Sequence, residues 1–172
     1  MNLKDHITSV PDFPKKGILF RDITSLLEND KAFQYCIDEL LKNSKQFSFN
    51  KIAVIESRGF IFGSVLSYLI SKPLILIRKE NKLPGDKLSV KYDLEYNTDI
   101  LQIHKSSIEG DDKVLIIDDL IATGGSALAA AKLIENSGGT VSGFLFIIYL
   151  SELFGKKLLS RKGYKTSSLI DY

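Results

Sequence analysis

The sequence predicts an α/β fold: a mostly parallel sheet with helices on both faces. Two observations predict it. Short apolar runs alternate with helix-patterned stretches, the succession that builds a parallel sheet from β-α-β units. The runs also lack polar alternation, which is how strands buried on both faces read.

The elements follow in order. Phe33, Ile37, Leu40 and Leu41 recur at helical spacing, and Asn29 or Asp30 can cap that helix. Residues 51–56 form a β-branched run, a strand. Residues 59–70 follow as a helix with an apolar face. Leu74, Ile75, Leu76 and Ile77 make a second buried strand, and Val114, Leu115, Ile116 and Ile117 a third, ending in Asp118 and Asp119. An Ala-rich helix covers 127–136 and stops at Gly138-Gly139. A fourth strand covers 141–150. Residues 160–172 read either as a strand or as a loose tail.

Two segments break the rhythm. Residues 78–105 are polar, contain Pro84-Gly85, and alternate weakly around Leu88, Val90, Tyr92 and Leu94. They read as a mobile loop or hairpin inserted between core strands, and long insertions in compact domains are usually functional. In residues 1–30, Pro11 and Pro14 exclude a central strand or helix. Residues 17–23 read as a short strand, and the segment as a hood over one end of the sheet.

Composition narrows the function classes. With 172 residues the chain is expected to be one domain, 1–172. Its 23 Lys+Arg against 21 Asp+Glu leave +2, no bulk attraction for nucleic acid or membrane. The one cysteine, Cys36, excludes an intrachain disulfide and suits a reducing cytoplasm; its helical setting reads as buried packing. His6 and His104 are too few for a metal site. No apolar leader opens the chain, and the longest apolar run, 144–150, is far shorter than the ~20 residues of a membrane span.

The chemistry concentrates after the third strand, in Asp118-Asp119-Leu120-Ile121-Ala122-Thr123-Gly124-Gly125-Ser126. Ligands of parallel α/β folds sit at the carboxyl ends of the strands. A helix N-terminus offers unpaired N–H groups and a positive dipole end to a phosphate. Gly124 and Gly125 let the backbone approach, and Thr123 and Ser126 add hydroxyls. The carboxylates repel phosphate but accept hydrogen bonds from vicinal sugar hydroxyls. A ribose 5-phosphate meets both demands. The competing reading, an acidic turn with a helix cap, explains Thr123 and Ser126 but not the tandem carboxylates. A P-loop is excluded because no Lys follows the glycines.

These residues resemble the phosphoribosyl pyrophosphate (PRPP) signature of the type I phosphoribosyltransferases. Three more segments resemble the adenine-specific members of that family: Pro11-Asp12-Phe13-Pro14 with residues 17–23, Glu56-Ser57-Arg58-Gly59-Phe60-Ile61-Phe62-Gly63, and Arg78-Lys79, Lys82-Leu83-Pro84-Gly85 and Leu94-Glu95-Tyr96. The match is collinear from about residue 10 to about residue 159. Asn97 stands where the family usually has Gly.

The resemblance implies a five-stranded, mostly parallel sheet with an N-terminal hood (1–30) and a mobile lid (78–105), in a homodimer. It implies transfer of the 5-phosphoribosyl group from PRPP to adenine with Mg²⁺, giving AMP and pyrophosphate in purine salvage. Asp118 and Asp119 would bind the ribose hydroxyls, and Ala122, Thr123, Gly124, Gly125 and Ser126 the 5-phosphate. Glu56, Ser57 and Arg58 would meet the pyrophosphate, with a cis peptide between Glu56 and Ser57. Arg78, Lys79 and Lys82 would neutralise it, in part across a dimer interface. Leu19, Phe20, Arg21, Leu120 and Tyr96 would form the adenine pocket. Glu95 would handle the adenine proton, with Arg58 the other catalytic group. The metal would be held mainly by PRPP and by no protein ligand directly.

Two alternatives stay open at this level. A 6-oxopurine transferase for hypoxanthine, guanine or xanthine would share the PRPP site, though Leu19-Phe20-Arg21 and Leu94-Glu95-Tyr96 favour adenine. A PRPP-sensing regulator would need a DNA-binding element, and neither an added helix-turn-helix nor a basic face is visible.

Overall fold

In the computed structural model, which describes residues 1–93 and 98–172, the apolar runs become the centre of one sheet. The strands are β1 (Thr8–Pro11), β2 (Leu19–Asp22), β3 (Lys51–Ile55), β4 (Leu74–Lys79), β5 (Lys87–Asp93), β6 (Thr98–His104), β7 (Lys113–Ile121), β8 (Thr140–Tyr149) and β9 (Thr166–Asp171). The helices are α1 (Thr24–Leu27), α2 (Asp30–Ser44), α3 (Gly59–Ile70), α4 (Gly125–Asn136) and α5 (Gly155–Arg161).

Among the described residues seven strands form the main sheet, in the order β5-β6-β4-β3-β7-β8-β9. The stretch β4-β3-β7-β8-β9 is parallel throughout, which is the expected five-stranded core. The insertion adds two more strands. β5 and β6 pair antiparallel with each other, from Lys87↔His104 to Asp93↔Thr98, and β6 joins β4 at Arg78↔Gln102 and Lys79↔Leu101. Of the two readings for 78–105, the hairpin is therefore the one observed.

Side chains alternate across the sheet, and each face has its cover. Leu115, Ile117, Leu145 and Ile147 pack with Leu26, Cys36, Leu40, Phe62 and Leu66 under α2 and α3. Val114, Ile116, Phe144 and Phe146 pack with Ala130, Leu133 and Ile134 of α4 and Leu159 of α5. The expected cap of α2 is Asn29, whose side chain accepts from the Ala32 N–H at 2.9 Å. Cys36 is fully buried, and burial pushes its thiol up to about 12. None of the described helices is long and apolar enough to cross a membrane.

β1 and β2 form a separate antiparallel hairpin with a cis Phe13–Pro14 peptide. It leans on the carboxyl end of the main sheet: the Arg58 guanidinium lies 5.2 Å from the centre of the Phe20 ring. The C-terminal residues are strand rather than loose tail, and Tyr172 N–H donates to the Tyr149 carbonyl at 2.9 Å.

Candidate active site

Strand β3 stops at Ile55, and its last pairing with β7 is Val54↔Ile117. β7 does not stop there. It runs through both aspartates to Ile121, still paired with β8. The acidic pair is thus inside the strand, which runs two residues beyond the end expected from the sequence. It emerges where β3 no longer covers it, and a cleft of about 510 Å³ opens at that point.

The carboxylates are nearly closed off from water, with Asp118 8% and Asp119 4% exposed. The Asp119 N–H donates to Asp118 Oδ1 at 2.9 Å. Arg58 Nε sits 2.8 Å from Asp119 Oδ2, yet this is a charge contact without hydrogen-bond alignment, so that buried oxygen has no hydrogen-bond partner among the described residues. Burial raises the Asp118 carboxyl well above the usual range, helped by the Asp119 charge and opposed by Arg58. Burial also raises Asp119, with Arg58 opposing. Two adjacent buried carboxyls disfavour each other's ionisation, which is why both are raised together.

Across the cleft, the Glu56–Ser57 peptide is cis, as the resemblance implied. Glu56 Oε2 accepts from Arg78 Nε at 3.0 Å and from the Lys79 N–H at 2.8 Å. Partial burial works to raise this carboxyl. The hydrogen bonds from Arg78 and Lys79, and the charges of Arg78 and Lys82, outweigh it and hold Glu56 below the ordinary range.

The residues expected to cradle a phosphate form a tight turn into α4. Gly124 is the N-cap residue at φ +90°, a conformation that costs a side-chain-bearing residue but not glycine. Gly124 has no side chain to cap the helix, so the helix start does not use the cap residue that the competing reading supposed. The turn is held from behind by Gly155, whose N–H donates to the Ala122 carbonyl at 2.9 Å. A Cβ on Gly155 would stand 2.2 Å from that oxygen.

The cleft is lined by Glu56, Ser57, Arg58, Lys79, Asp118, Asp119, Leu120, Ala122, Thr123, Gly124 and Ser126, all expected from the sequence. Arg78, Lys82 and Gly125 stand just outside its wall; Arg78 acts on Glu56, and Gly125 opens α4. Leu19, Phe20 and Arg21 lie on β2 above it. Leu19 is 47% exposed, and Phe20 faces Arg58. Arg21 bonds Ser9, and its guanidinium stacks 3.7 Å over the Tyr172 ring. Glu95 and Tyr96 lie outside the described residues.

Several lining residues escaped sequence reading, among them Tyr92, Asp99 and Leu101, which enter from the hairpin. The Tyr92 hydroxyl donates to Asp99 Oδ2 at 3.2 Å, and Lys79 Nζ lies 3.4 Å from the same oxygen. Burial, then the Asp99 charge, push the Tyr92 phenol far up, so it stays a donor. The alternation of Leu88, Val90 and Tyr92 was the available signal, but only the β4–β6 pairing brings the hairpin to the cleft.

Comparison with known proteins agrees with this geometry. Residues 22–153 match the phosphoribosyl transferase domain. The adenine phosphoribosyltransferase of Pelagibacter ubique is 55% identical over 172 residues, covering 100% of this chain and 98% of its own. The crystal structure of adenine phosphoribosyltransferase from Thermoanaerobacter pseudethanolicus superposes with a TM-score of 0.95 at 46% identity, over 99% of this chain and 98% of that one. The Saccharomyces cerevisiae enzyme, solved with an iminoaltritol bisphosphate and adenine, gives a TM-score of 0.88 at 34% identity, over 97% and 96%.

Proposed function

Because the chain belongs to the phosphoribosyltransferase family, we propose that it transfers the 5-phosphoribosyl group of PRPP to adenine, giving AMP and pyrophosphate in purine salvage. The observation that carries the reading is one cleft with two unlike ends: a buried carboxylate pair on β7 and an uncapped helix N-terminus on α4, seven residues further along the chain.

Each group has a task there. Asp118 and Asp119 accept hydrogen bonds from the ribose hydroxyls. Ala122, Thr123, Gly124, Gly125 and Ser126 hold the 5-phosphate with backbone N–H groups, hydroxyls and the dipole of α4. The Ser57 backbone and Arg58 take the pyrophosphate, with Lys79 beside them and Arg78 fixed on Glu56 behind. Leu120 and Phe20 flank the base, and Glu95 takes its proton.

The bond changes follow from this layout. The C–O bond from the anomeric carbon to pyrophosphate breaks, and a bond from that carbon to an adenine nitrogen forms. The transition state is oxocarbenium-like, as in glycoside chemistry, and cations around the departing oxygens stabilise it. Magnesium, when bound, neutralises pyrophosphate and orients it. Hard carboxylate oxygens in the cleft, one of them lacking a hydrogen-bond partner among the described residues, fit such an ion reaching the site on PRPP. The 172 residues act as one domain, with 1–30 as hood, 78–105 as lid, a cytoplasmic setting and a homodimeric assembly.

The test is product formation. Protein, PRPP and Mg²⁺ are mixed with adenine, hypoxanthine, guanine or xanthine, and nucleotides are separated by chromatography. The reading requires AMP from adenine as the main product. IMP or GMP as the main product would overturn the base assignment, and no nucleotide from any base would overturn the enzyme.

A further inference from the structure

We infer that Asp99 is a positioning residue for the pyrophosphate group of PRPP, acting through Lys79. The inference rests on the reading of the cleft as a PRPP site.

Sheet register brings the parts together. Lys79 of β4 pairs with Leu101 of β6. Asp99 lies two residues from Leu101 and so on the same face, diagonal to Lys79 and within reach of a long side chain. Tyr92 is the direct cross-strand partner of Asp99. All four residues line the cleft.

The two charged groups are held differently. Asp99 is fixed without help from the lysine: Oδ1 accepts from the Ile100 N–H at 2.8 Å, and Oδ2 from the Tyr92 hydroxyl at 3.2 Å. Lys79 is fixed only at its root, where its N–H donates to Glu56 at 2.8 Å. Its side chain is 53% exposed and its ammonium lies 3.4 Å from Asp99 Oδ2, longer than a tight charge-assisted bond of about 2.7–2.9 Å. A half-exposed pair at that distance adds little stability. The pair is a charge contact without hydrogen-bond alignment, so the three donors of the ammonium stay open to phosphate oxygens. Asp99 thus limits where the flexible stem carries its charge and spares the substrate that ordering cost.

The test is a double-mutant cycle on KM for PRPP, with adenine and Mg²⁺ fixed, for wild type, Asp99→Asn, Lys79→Met and the double variant. Asp99→Asn should raise KM for PRPP about three- to fivefold, the scale of a partly exposed ion pair, and kcat should fall by less. In the Lys79→Met background the same change should be silent. Asp99→Glu, which keeps the charge, should return KM toward wild type, and a melting scan should show all variants folded. An unchanged KM, an equal rise in both backgrounds, or a rise in KM for adenine instead would overturn the inference while leaving the enzyme reading intact. A wild type that makes no AMP would remove that reading and the inference with it.

Discussion

In the Asp118→Asn variant the side chain keeps its shape and loses its charge. The amide oxygen that this substitution introduces can still accept from the Asp119 N–H, and the amide nitrogen stands where the proton of a neutral Asp118 would be. The wild-type group is nearly closed off from water beside a second carboxylate, and ionising a buried carboxylate without full compensation costs several kcal/mol. Removing that liability should stabilise the ligand-free protein by about 0.5–2 kcal/mol, the usual yield of a stabilising substitution. At roughly 2–4 °C per kcal/mol for a domain of this size, melting should rise by about 1–8 °C. The pH dependence has a fixed sign. A carboxyl whose native pKa is raised contributes stability that is fully present below its ordinary value and lost as pH rises through the raised value. Wild type should therefore weaken as pH rises above the ordinary carboxylate range, and the variant should weaken less. Losing a charged acceptor for a ribose hydroxyl should meanwhile cut kcat/KM about ten- to hundredfold. Denaturant unfolding at pH 5 and pH 8, with turnover measured on the same samples, reads both effects. A variant less stable than wild type, or a stability gap that ignores pH, would refute the reasoning.

Three further substitutions probe the same geometry. Gly155→Ala places a methyl 2.2 Å from the Ala122 carbonyl; unfolding should show a loss of about 1–3 kcal/mol, and KM for PRPP should rise as the phosphate turn shifts. Glu56 is held below its ordinary range, so its contribution is present above that range and lost as pH falls through the lowered value. Glu56→Gln should cost about 1–2 kcal/mol at pH 7, with the gap closing on acid titration followed by circular dichroism. Glu95→Gln should lower kcat about 10²- to 10⁴-fold, as loss of a proton-transfer group does, with melting unchanged; full turnover would remove Glu95 from the mechanism.

The sequence exposed those parts of the fold whose signal is local. β3, β7 and β8 are continuous apolar runs because both faces are covered; β4 reads the same way, yet only Ile75 and Ile77 are buried and Leu76 is exposed. α2 announces itself through Asn29 and its apolar spacing. The PRPP motif was legible because strand, turn and helix are consecutive. Edges were harder to read. β9 is the outer strand and carries Thr166, Ser167 and Ser168, so it lacks the apolar run of a central strand. The hairpin β5–β6 keeps polar residues such as Ser89 and Lys91 between its apolar ones, so it lacks the continuous apolar run of a central strand. Contacts made by chain folding were not legible at all. Gly155 supports a turn some thirty residues earlier, and Asp99 meets Lys79 only because β6 packs beside β4.

The most direct test is a calorimetric titration of PRPP with Mg²⁺ into wild type and Asp119→Asn, without adenine. The account predicts saturable one-site binding to wild type, and binding at least tenfold weaker when the buried carboxylate beside Arg58 is neutralised, as losing a charged hydrogen-bond acceptor implies. Equal affinity in the two proteins, or no binding to wild type, would contradict the claim that this acidic pair and the turn after it hold the phosphorylated ribose.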